Sequence, residues 1–261
     1  MTLPRPLQHP AAASEAGRNV VAVASGKGGV GKTFVSITLA HALARAGRRA
    51  LLFDGDLGLA NVDIQLGLEP SRDLGAVVGG RVGLKDAVTR FEEGGFDVVA
   101  GKSGSGALAT LDPARRAALT AELWALAASY DRVILDLGAG VDAPMRALTP
   151  PAGATLVVAT DEPTSLTDAY AYIKLTVMER RGADLRIVVN LAANAREGER
   201  TYATLAKACR TFLKFTPPLA GVIRRDERVR DAIRRQTALL TRHPASDAAL
   251  DIEALAAGLL G

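Results

Sequence analysis

The stretch SGKGGVGKT, from Ser25 to Thr33, decides how the rest of the chain is interpreted. It satisfies the phosphate-loop pattern G-x-x-x-x-G-K-[ST] through Gly26, Gly31, Lys32 and Thr33. The apolar run NVVAVAS precedes it and the helical pattern FVSITLAHALARAG follows it, which is the strand, loop and helix context that the motif requires. Glycines permit positive φ angles, so successive backbone N–H groups can converge on an anion at the start of the helix. The stretch therefore predicts a nucleotide-binding site rather than a glycine-rich turn without a ligand.

The side chains of this loop have separate predicted roles. In a phosphate loop the lysine before the hydroxyl residue, here Lys32, reaches the β- and γ-phosphates, and the hydroxyl of Thr33 binds Mg²⁺. The loop also holds a second lysine, Lys27, which phosphate binding alone does not require. The residues predicted to contact the nucleotide are Gly26, Gly28, Gly29, Val30, Gly31, Lys32, Thr33 and Phe34.

Composition narrows the class of protein. The 261 residues, 48% hydrophobic and 23% charged, suffice for one large α/β domain or two small ones. The single cysteine, Cys209, excludes an internal disulfide and favours a reducing, cytoplasmic setting. No apolar run reaches the length of about 18 residues that spans a membrane. The net charge of +4 is compatible with nucleic acid or anionic lipid and proves neither.

Hydrophobic patterning predicts the fold. Residues 1–17, rich in Pro and Ala and without a secretory signal, are expected to be a flexible tail before one phosphate-loop domain over 18–261, which ends in C-terminal helices. Apolar runs alternate with helical patterns, which predicts an α/β fold with one doubly wound, mostly parallel sheet of seven or eight strands and helices on both faces. The segment GAVVGGRVG, Gly75–Gly83, is predicted to be a connection. The predicted strands begin near Asn19, Arg49, Phe96, Asp131, Gly153, Asp184 and Pro218.

Three aspartates follow predicted strands directly. Asp54 and Asp56 end the second strand, and Asp136 ends VILD in the Walker B position. Parallel strands bring their carboxyl ends to one edge, where Mg²⁺ takes oxygen ligands. The predicted metal residues are Thr33, Asp54 and Asp136, although Asp54 is also compatible with a capping or turn role.

The motifs together resemble a known family. KGGVGKT is similar to the deviant Walker A motif of MinD/ParA P-loop ATPases, and DGDLGLANVDIQLGL and DLGAG resemble that family's second and third signatures. The similarity extends over about 19–245, and with TDEPTSLTDAYAYIK it most resembles the flagellar-number regulator branch, FlhG/FleN. The resemblance implies a slow ATPase that binds ATP or ADP with Mg²⁺ and dimerises with ATP. Such a switch would regulate the number or position of a cellular structure, here the flagellum.

The resemblance also implies catalytic roles. In the family the extra lysine, here Lys27, crosses the dimer interface and contacts the phosphates of the other subunit, as an arginine finger does. Asp56 matches the residue that positions the attacking water, Asp54 lies near the Mg²⁺ shell, and Asp136 holds a Mg²⁺-bound water. With Lys32, the expected catalytic set is Lys27, Lys32 and Asp56.

Further matches concern the γ-phosphate and the adenine. Gly140 lies in the second switch, where its N–H could sense the γ-phosphate, and Asn190 matches an adenine-contacting asparagine. Asn190 could instead cap the following segment. The loop around Arg224 to Asp226 is expected to close over the adenine.

Three departures qualify the resemblance. Phe34 replaces a frequent polar residue beside the α-phosphate, and Leu137 replaces a Thr or Ser after the Walker B aspartate, which favours slow hydrolysis. The chain before Asn19 lacks the D-Q-A-x-x-L-R motif with which the flagellar branch stimulates a signal-recognition-type GTPase, and this puts GTPase activation in doubt.

The sequence allows three alternatives for the surface through which the switch acts: a membrane, DNA or a protein partner. The tail ASDAALDIEALAAGLLG lacks basic residues, which favours a packed last helix over a membrane anchor. RRDERVRDAIRRQ carries six arginines against three acids, and is either a DNA-binding patch or a solvated, ion-paired helix. A protein partner is the third possibility, such as the GTPase or a flagellar basal-body component.

We expect a cytoplasmic protein, with peripheral association at the membrane or a cell pole as an alternative. A ParA-like partition ATPase, a MinD-like division regulator and, less favoured, a chemical enzyme or cluster carrier remain alternative functions.

Overall fold

The computed structural model describes residues 17–56, 60–101, 112–140 and 152–260. The predicted N-terminal tail therefore lies outside the described residues, apart from Gly17. The described chain forms one eight-stranded sheet with helices on both faces, as predicted. The strands are β1 (Val20–Ser25), β2 (Ala50–Gly55), β3 (Val88–Phe91), β4 (Phe96–Val99), β5 (Arg132–Ala139), β6 (Ala154–Ala159), β7 (Asp184–Ala192) and β8 (Leu219–Arg224).

The helices follow the predicted alternation with the strands. Three short segments lie between β2 and β3, namely α2 (Val62–Leu66), α3 (Leu74–Val78) and a 3₁₀ turn at Leu84–Ala87. The α-helices are α1 (Lys32–Arg45), α2 (Val62–Leu66), α3 (Leu74–Val78), α4 (Pro113–Ala127), α5 (Pro163–Glu179), α6 (Ala195–Leu213), α7 (Glu227–Arg234), α8 (Leu239–Arg242) and α9 (Asp247–Leu260).

The strand order explains where the loops meet. The order is β3-β4-β2-β5-β1-β6-β7-β8, and every neighbouring pair is parallel except β3 and β4. The central strands β1, β2 and β6 are buried along their whole length, because helices cover both faces of the sheet. The carboxyl ends of the parallel strands therefore share one edge, which is the edge that carries the glycine-rich loop.

Two segments differ from the sequence predictions. Strand β3 was not predicted, because its four residues VTRF are too few and too polar to stand out as an apolar run. The predicted connection Gly75–Gly83 is partly helical, since α3 covers Leu74–Val78. Asp73 accepts a hydrogen bond from the backbone N–H of Ala76 at 2.8 Å, and this N-cap stabilises a helix that the glycines alone did not indicate.

The last helix, α9, packs against the domain. It buries Ala248, Ala249, Ile252, Leu255 and Ala256 and contacts α1 and β8. This confirms the packed-helix interpretation, since the buried side of α9 lies against α1 and β8. Among the described helices, none combines the length and the apolar composition that crossing a bilayer requires.

Candidate functional site

The glycine-rich loop connects the end of β1 to the start of α1. Gly29 and Gly31 have φ angles of 79° and 88°, in the left-handed region that glycine adopts readily. Gly31 is the N-cap of α1, and none of the described side chains caps this helix end. The first N–H groups of α1 are thus free of a side-chain acceptor, as an anion site at a helix N-terminus requires.

Two glycines of the loop are also fixed by close packing. A Cβ atom at Gly26 would lie 2.2 Å from the carbonyl carbon of Asp168 in α5, and one at Gly31 would lie 2.3 Å from Nδ2 of Asn190. A Cβ atom at Gly29 would meet no described atom within 4 Å, and one at Gly28 would lie 4.0 Å from Cβ of Ala139. The loop is therefore held by its neighbours on one side and open on the other.

Val30 and Phe34 differ from the other predicted nucleotide contacts. Both side chains are buried in the hydrophobic core on the α1 face of the sheet, with exposures of 3% and 9%. They can offer only backbone groups to a ligand. The structure thus divides the predicted loop contacts into backbone donors and the side chains of Lys32 and Thr33.

Two buried carboxylates lie side by side behind the loop. Asp54 of β2 and Asp136 of β5 are register partners in the sheet, and each is 1% exposed. Burial, followed by the charge of Asp136, raises the pKa of Asp54 to about 7. Burial likewise raises the pKa of Asp136, while Lys32, itself 7% exposed, acts in the opposite direction. Paired carboxyl groups with raised pKa values in one buried site mark it as a candidate functional site, where a bound cation would favour their ionised forms.

Asp54 and Asp136 have different hydrogen-bond partners. Both oxygens of Asp54 are engaged, since Oδ1 accepts from the N–H of Asp56 and Oδ2 from the N–H groups of Asn61 and Val62, each at 3.2 Å. Asp54 therefore caps the loop that enters α2, which supports the capping alternative. Oδ1 of Asp136 accepts from the hydroxyl of Ser36 at 2.9 Å, and Oδ2 has no hydrogen-bond partner among the residues that the structure describes.

Asp56 is half-buried at the same edge of the sheet. Burial is the main cause that raises the pKa values of Asp54 and Asp136, and the charge of Asp56 raises both further. The three residues that follow it, 57–59, lie outside the described residues. The structure therefore shows that Asp56 is close to the carboxylate pair, and its role with water stays a prediction.

Lys27 points away from the buried pair. Its Nζ donates to Oε2 of Glu162 at 2.5 Å and to Oγ1 of Thr164 at 2.8 Å, at the start of α5. The side chains of Lys27 and Glu162 are 35% and 61% exposed. The second lysine is therefore a solvent-accessible cation, held by its own chain beside the phosphate loop.

Asn190 supports the phosphate loop directly. Its Nδ2 donates to the carbonyl oxygen of Val30 at 2.8 Å, and its Oδ1 is buried with no partner in the described parts of the chain. The capping alternative for Asn190 is wrong, because the cap of α6 is Asn194, which accepts from the N–H of Glu197 at 3.0 Å. Leu191 next to it has a φ of 59°, an uncommon left-handed value.

The other residues predicted to contact the nucleotide form hydrogen bonds or ion pairs within the chain. The N–H of Gly140 donates to the carbonyl of Ser25 at 3.0 Å, so Gly140 is held against β1, and its role in sensing the γ-phosphate stays a prediction. The Arg224 guanidinium binds Asp251 and Asp247 of α9, at 2.8 Å in each case. Asp226 accepts from the N–H of Arg228 at 2.9 Å and caps α7. The adenine roles of Arg224 and Asp226 stay predictions, and both side chains have structural roles here.

Sequence reasoning missed two features of the site. Ser36 lies one helical turn after Lys32 on α1, and that spacing could have placed it on the face that meets β5. Glu162 lies 135 residues from Lys27, and no local pattern relates the two.

The donor set fits a magnesium ion that is bound together with a nucleotide. Asp136 offers a buried oxygen with no partner among the described residues, and Thr33 offers a hydroxyl beside it. Within the described residues no group of three or more His, Cys, Asp and Glu side chains could hold a metal by itself. Mg²⁺ commonly takes one or two protein ligands, with phosphates and waters completing its shell.

Comparison with known proteins places this site in a family. The model of the CobQ/CobB/MinD/ParA nucleotide-binding domain matches residues 21–239. The antiactivator FleN of Pseudomonas aeruginosa is 41% identical over 237 residues, 91% of this chain and 84% of that protein. The flagellum site-determining protein YlxH of Helicobacter pylori is 31% identical over 190 residues, 73% of this chain and 64% of that protein. The cell division ATPase MinD of Pyrococcus furiosus superposes with a TM-score of 0.77 at 25% identity, covering 94% of this chain and 98% of that one.

Proposed function

The chain belongs to the CobQ/CobB/MinD/ParA family of nucleotide-binding domains, as a homologue of FleN, and we propose that it is an ATP-dependent dimerising switch. In this proposal slow ATP hydrolysis ends the dimeric state, and the switch regulates the number or position of the flagellum. The observation that carries the proposal is the pair of lysines: Lys32 is buried beside Asp136, whereas the side chain of Lys27 is 35% exposed at the same edge. One lysine suits the chain's own nucleotide, and the other can reach a second copy.

The phosphates would bind at the uncapped N-terminus of α1. Backbone N–H groups of the loop and the side chain of Lys32 supply positive charge, and exclusion of water strengthens that interaction. Mg²⁺, when bound, would neutralise phosphate charge with Thr33 as ligand and Asp136 holding one of its waters. Asp56 would orient the water that attacks the γ-phosphorus, and the bond to the bridging oxygen of ADP would break.

Lys27 would act on the partner's nucleotide. Two ATP molecules that face each other bring like charges together, and a cation from each subunit offsets the repulsion. Lys27 must first leave Glu162 and Thr164. Because solvent reaches both side chains of this ion pair, separation costs about 1 kcal/mol or less, which contact with a triphosphate can offset.

The names of the relatives support the biological reading. One relative is an antiactivator, another determines the site of the flagellum, and a structural neighbour is a cell division ATPase. By analogy, we propose that residues 18–261 of this chain form one ATPase domain. The domain would work as a homodimer, with a protein partner, in the cytoplasm. A peripheral position at the membrane or a cell pole would then come from that partner, because α9 is packed.

The concentration dependence of hydrolysis tests the proposal. If catalysis requires the dimer, the ATPase rate per chain rises with protein concentration, and Lys27→Ala removes this rise while the variant still binds ATP. Lys207→Ala, which removes an exposed lysine from α6, is the matched control and should behave as wild type. A rate per chain that is independent of concentration in the wild type would contradict the switch.

A second candidate function is DNA binding through α7. Arg225, Arg228, Arg230 and Arg234 are exposed, and no ion pair seen in the described residues includes them. Arg235 pairs with Asp231, so the ion-paired alternative explains only part of the cluster. Binding to random duplex DNA that weakens steeply with salt, and that needs ATP, would favour this candidate.

A further inference from the structure

Ser36 is a buried hydroxyl directly behind the proposed phosphate site. It is fully buried on α1, one turn after Lys32. Its Oγ lies 3.0 Å from the carbonyl oxygen of Lys32 and 2.9 Å from Oδ1 of Asp136. The hydroxyl has one proton for these two acceptors, and an ionised carboxylate is the stronger acceptor of the two.

The two oxygens of Asp136 are therefore not equivalent. Oδ1 is tied to α1 through Ser36, and Oδ2 is buried without a hydrogen-bond partner in the described residues. A carboxylate with one fixed oxygen cannot turn about its last bond without losing that hydrogen bond. Ser36 thus determines which oxygen remains for an incoming ligand.

The neighbouring carboxylate does not share this property. Both oxygens of Asp54 accept backbone N–H groups from the loop that leads into α2. Among the described residues, Asp136 is consequently the member of the buried pair that has an oxygen available to a ligand.

We infer that Ser36 is a positioning residue, which orients the Asp136 carboxylate so that Oδ2 accepts from a water of the nucleotide-bound Mg²⁺. This inference rests on the proposed nucleotide function. Groups that hydrogen-bond to the ligands of a metal fix their orientation, and their loss commonly lowers metal affinity by about 10- to 100-fold. Without the Ser36 hydroxyl, Oδ1 of Asp136 loses its hydrogen bond at 2.9 Å to α1, and the carboxylate is held less firmly, with the Thr33 hydroxyl as its remaining partner.

The experiment compares nucleotide binding with and without the metal. A fluorescent ATP analogue is titrated into the full-length protein in EDTA, and Mg²⁺ is then titrated into the complex. For Ser36→Ala we expect unchanged analogue affinity in EDTA and an apparent Mg²⁺ affinity about 10-fold weaker than wild type. Because both constants come from one folded sample, a modest loss of stability does not affect their ratio.

Thr155→Val is the matched control. Thr155 is also fully buried, on β6, and its hydroxyl has no partner among the described residues. Its loss should leave both constants at wild-type values. A wild-type Mg²⁺ response in Ser36→Ala would overturn the inference, and so would an equal weakening with and without Mg²⁺. A wild-type protein that binds no nucleotide would instead overturn the proposed function, and the inference with it.

Discussion

Removing the contact that holds Lys27 within its own chain should strengthen the dimer. Glu162→Gln eliminates the ion pair at 2.5 Å and leaves the hydrogen bond from Lys27 to Thr164 at 2.8 Å. In the account above, each subunit must break this ion pair before its lysine can reach the partner's phosphates. The substitution lowers the cost of that step and does not alter the phosphate loop.

The size of the effect follows from the exposure of the pair. With side chains 35% and 61% exposed, solvent screens the interaction, and such pairs contribute about 0.5 kcal/mol. A dimer breaks two of them, so the expected gain is about 1 kcal/mol, or about 5-fold in the dissociation constant of the dimer. The gain should shrink as salt is added, because screening already weakens the pair in the wild type.

Sedimentation equilibrium in ATP and Mg²⁺, in an Asp56→Ala background that prevents turnover, measures this constant. Glu93→Gln removes an exposed carboxylate in the turn between β3 and β4, at the opposite edge of the sheet, and serves as the control. A dissociation constant in Glu162→Gln that equals or exceeds that of the control would show that this ion pair does not oppose dimerisation.

Three further predictions concern the fold around the site. Gly31→Ala should abolish nucleotide binding in calorimetry and lower the free energy of unfolding by more than Gly47→Ala, because both glycines have positive φ but only Gly31 faces a close atom, at 2.3 Å. The pKa of Asp54 is raised to about 7, so the folded state without nucleotide holds a proton that the unfolded state releases near pH 4, and stability should fall as pH rises from about 4 to 7. Urea denaturation across this range should show the slope, and Asp54→Asn should reduce it. Arg224→Ala should lower stability by about 1–2 kcal/mol and increase hydrogen exchange in α9, because it removes the contacts with Asp251.

The sequence was sufficient to predict those parts of the fold and the site that depend on residues close together in the chain. The phosphate loop could be predicted because its spacing is contiguous, and β1, β2 and β5 because buried parallel strands are continuous apolar runs. Strand β3 escaped prediction because an edge strand with one antiparallel neighbour needs little apolar sequence. Helix α3 depends on a single capping aspartate among glycines, which composition alone does not reveal.

Contacts between distant segments could not be predicted in the same way. Nothing near Lys27 in the sequence indicates Glu162, and nothing near Arg224 indicates the two aspartates of α9 that occupy its guanidinium. Asn190 shows the same limit, since the sequence left helix capping open and the fold uses its amide to hold Val30. These side chains gain their roles from the order of strands, which brings together residues more than a hundred positions apart in two of the three cases.

The most direct test of the central claim is the molar mass of the Asp56→Ala variant by light scattering, with ADP and with ATP and Mg²⁺. We expect a monomer with ADP, a dimer with ATP, and a monomer with either nucleotide once Lys27→Ala is added. A mass that is the same with both nucleotides, or an ATP-dependent dimer that survives loss of Lys27, would contradict that claim.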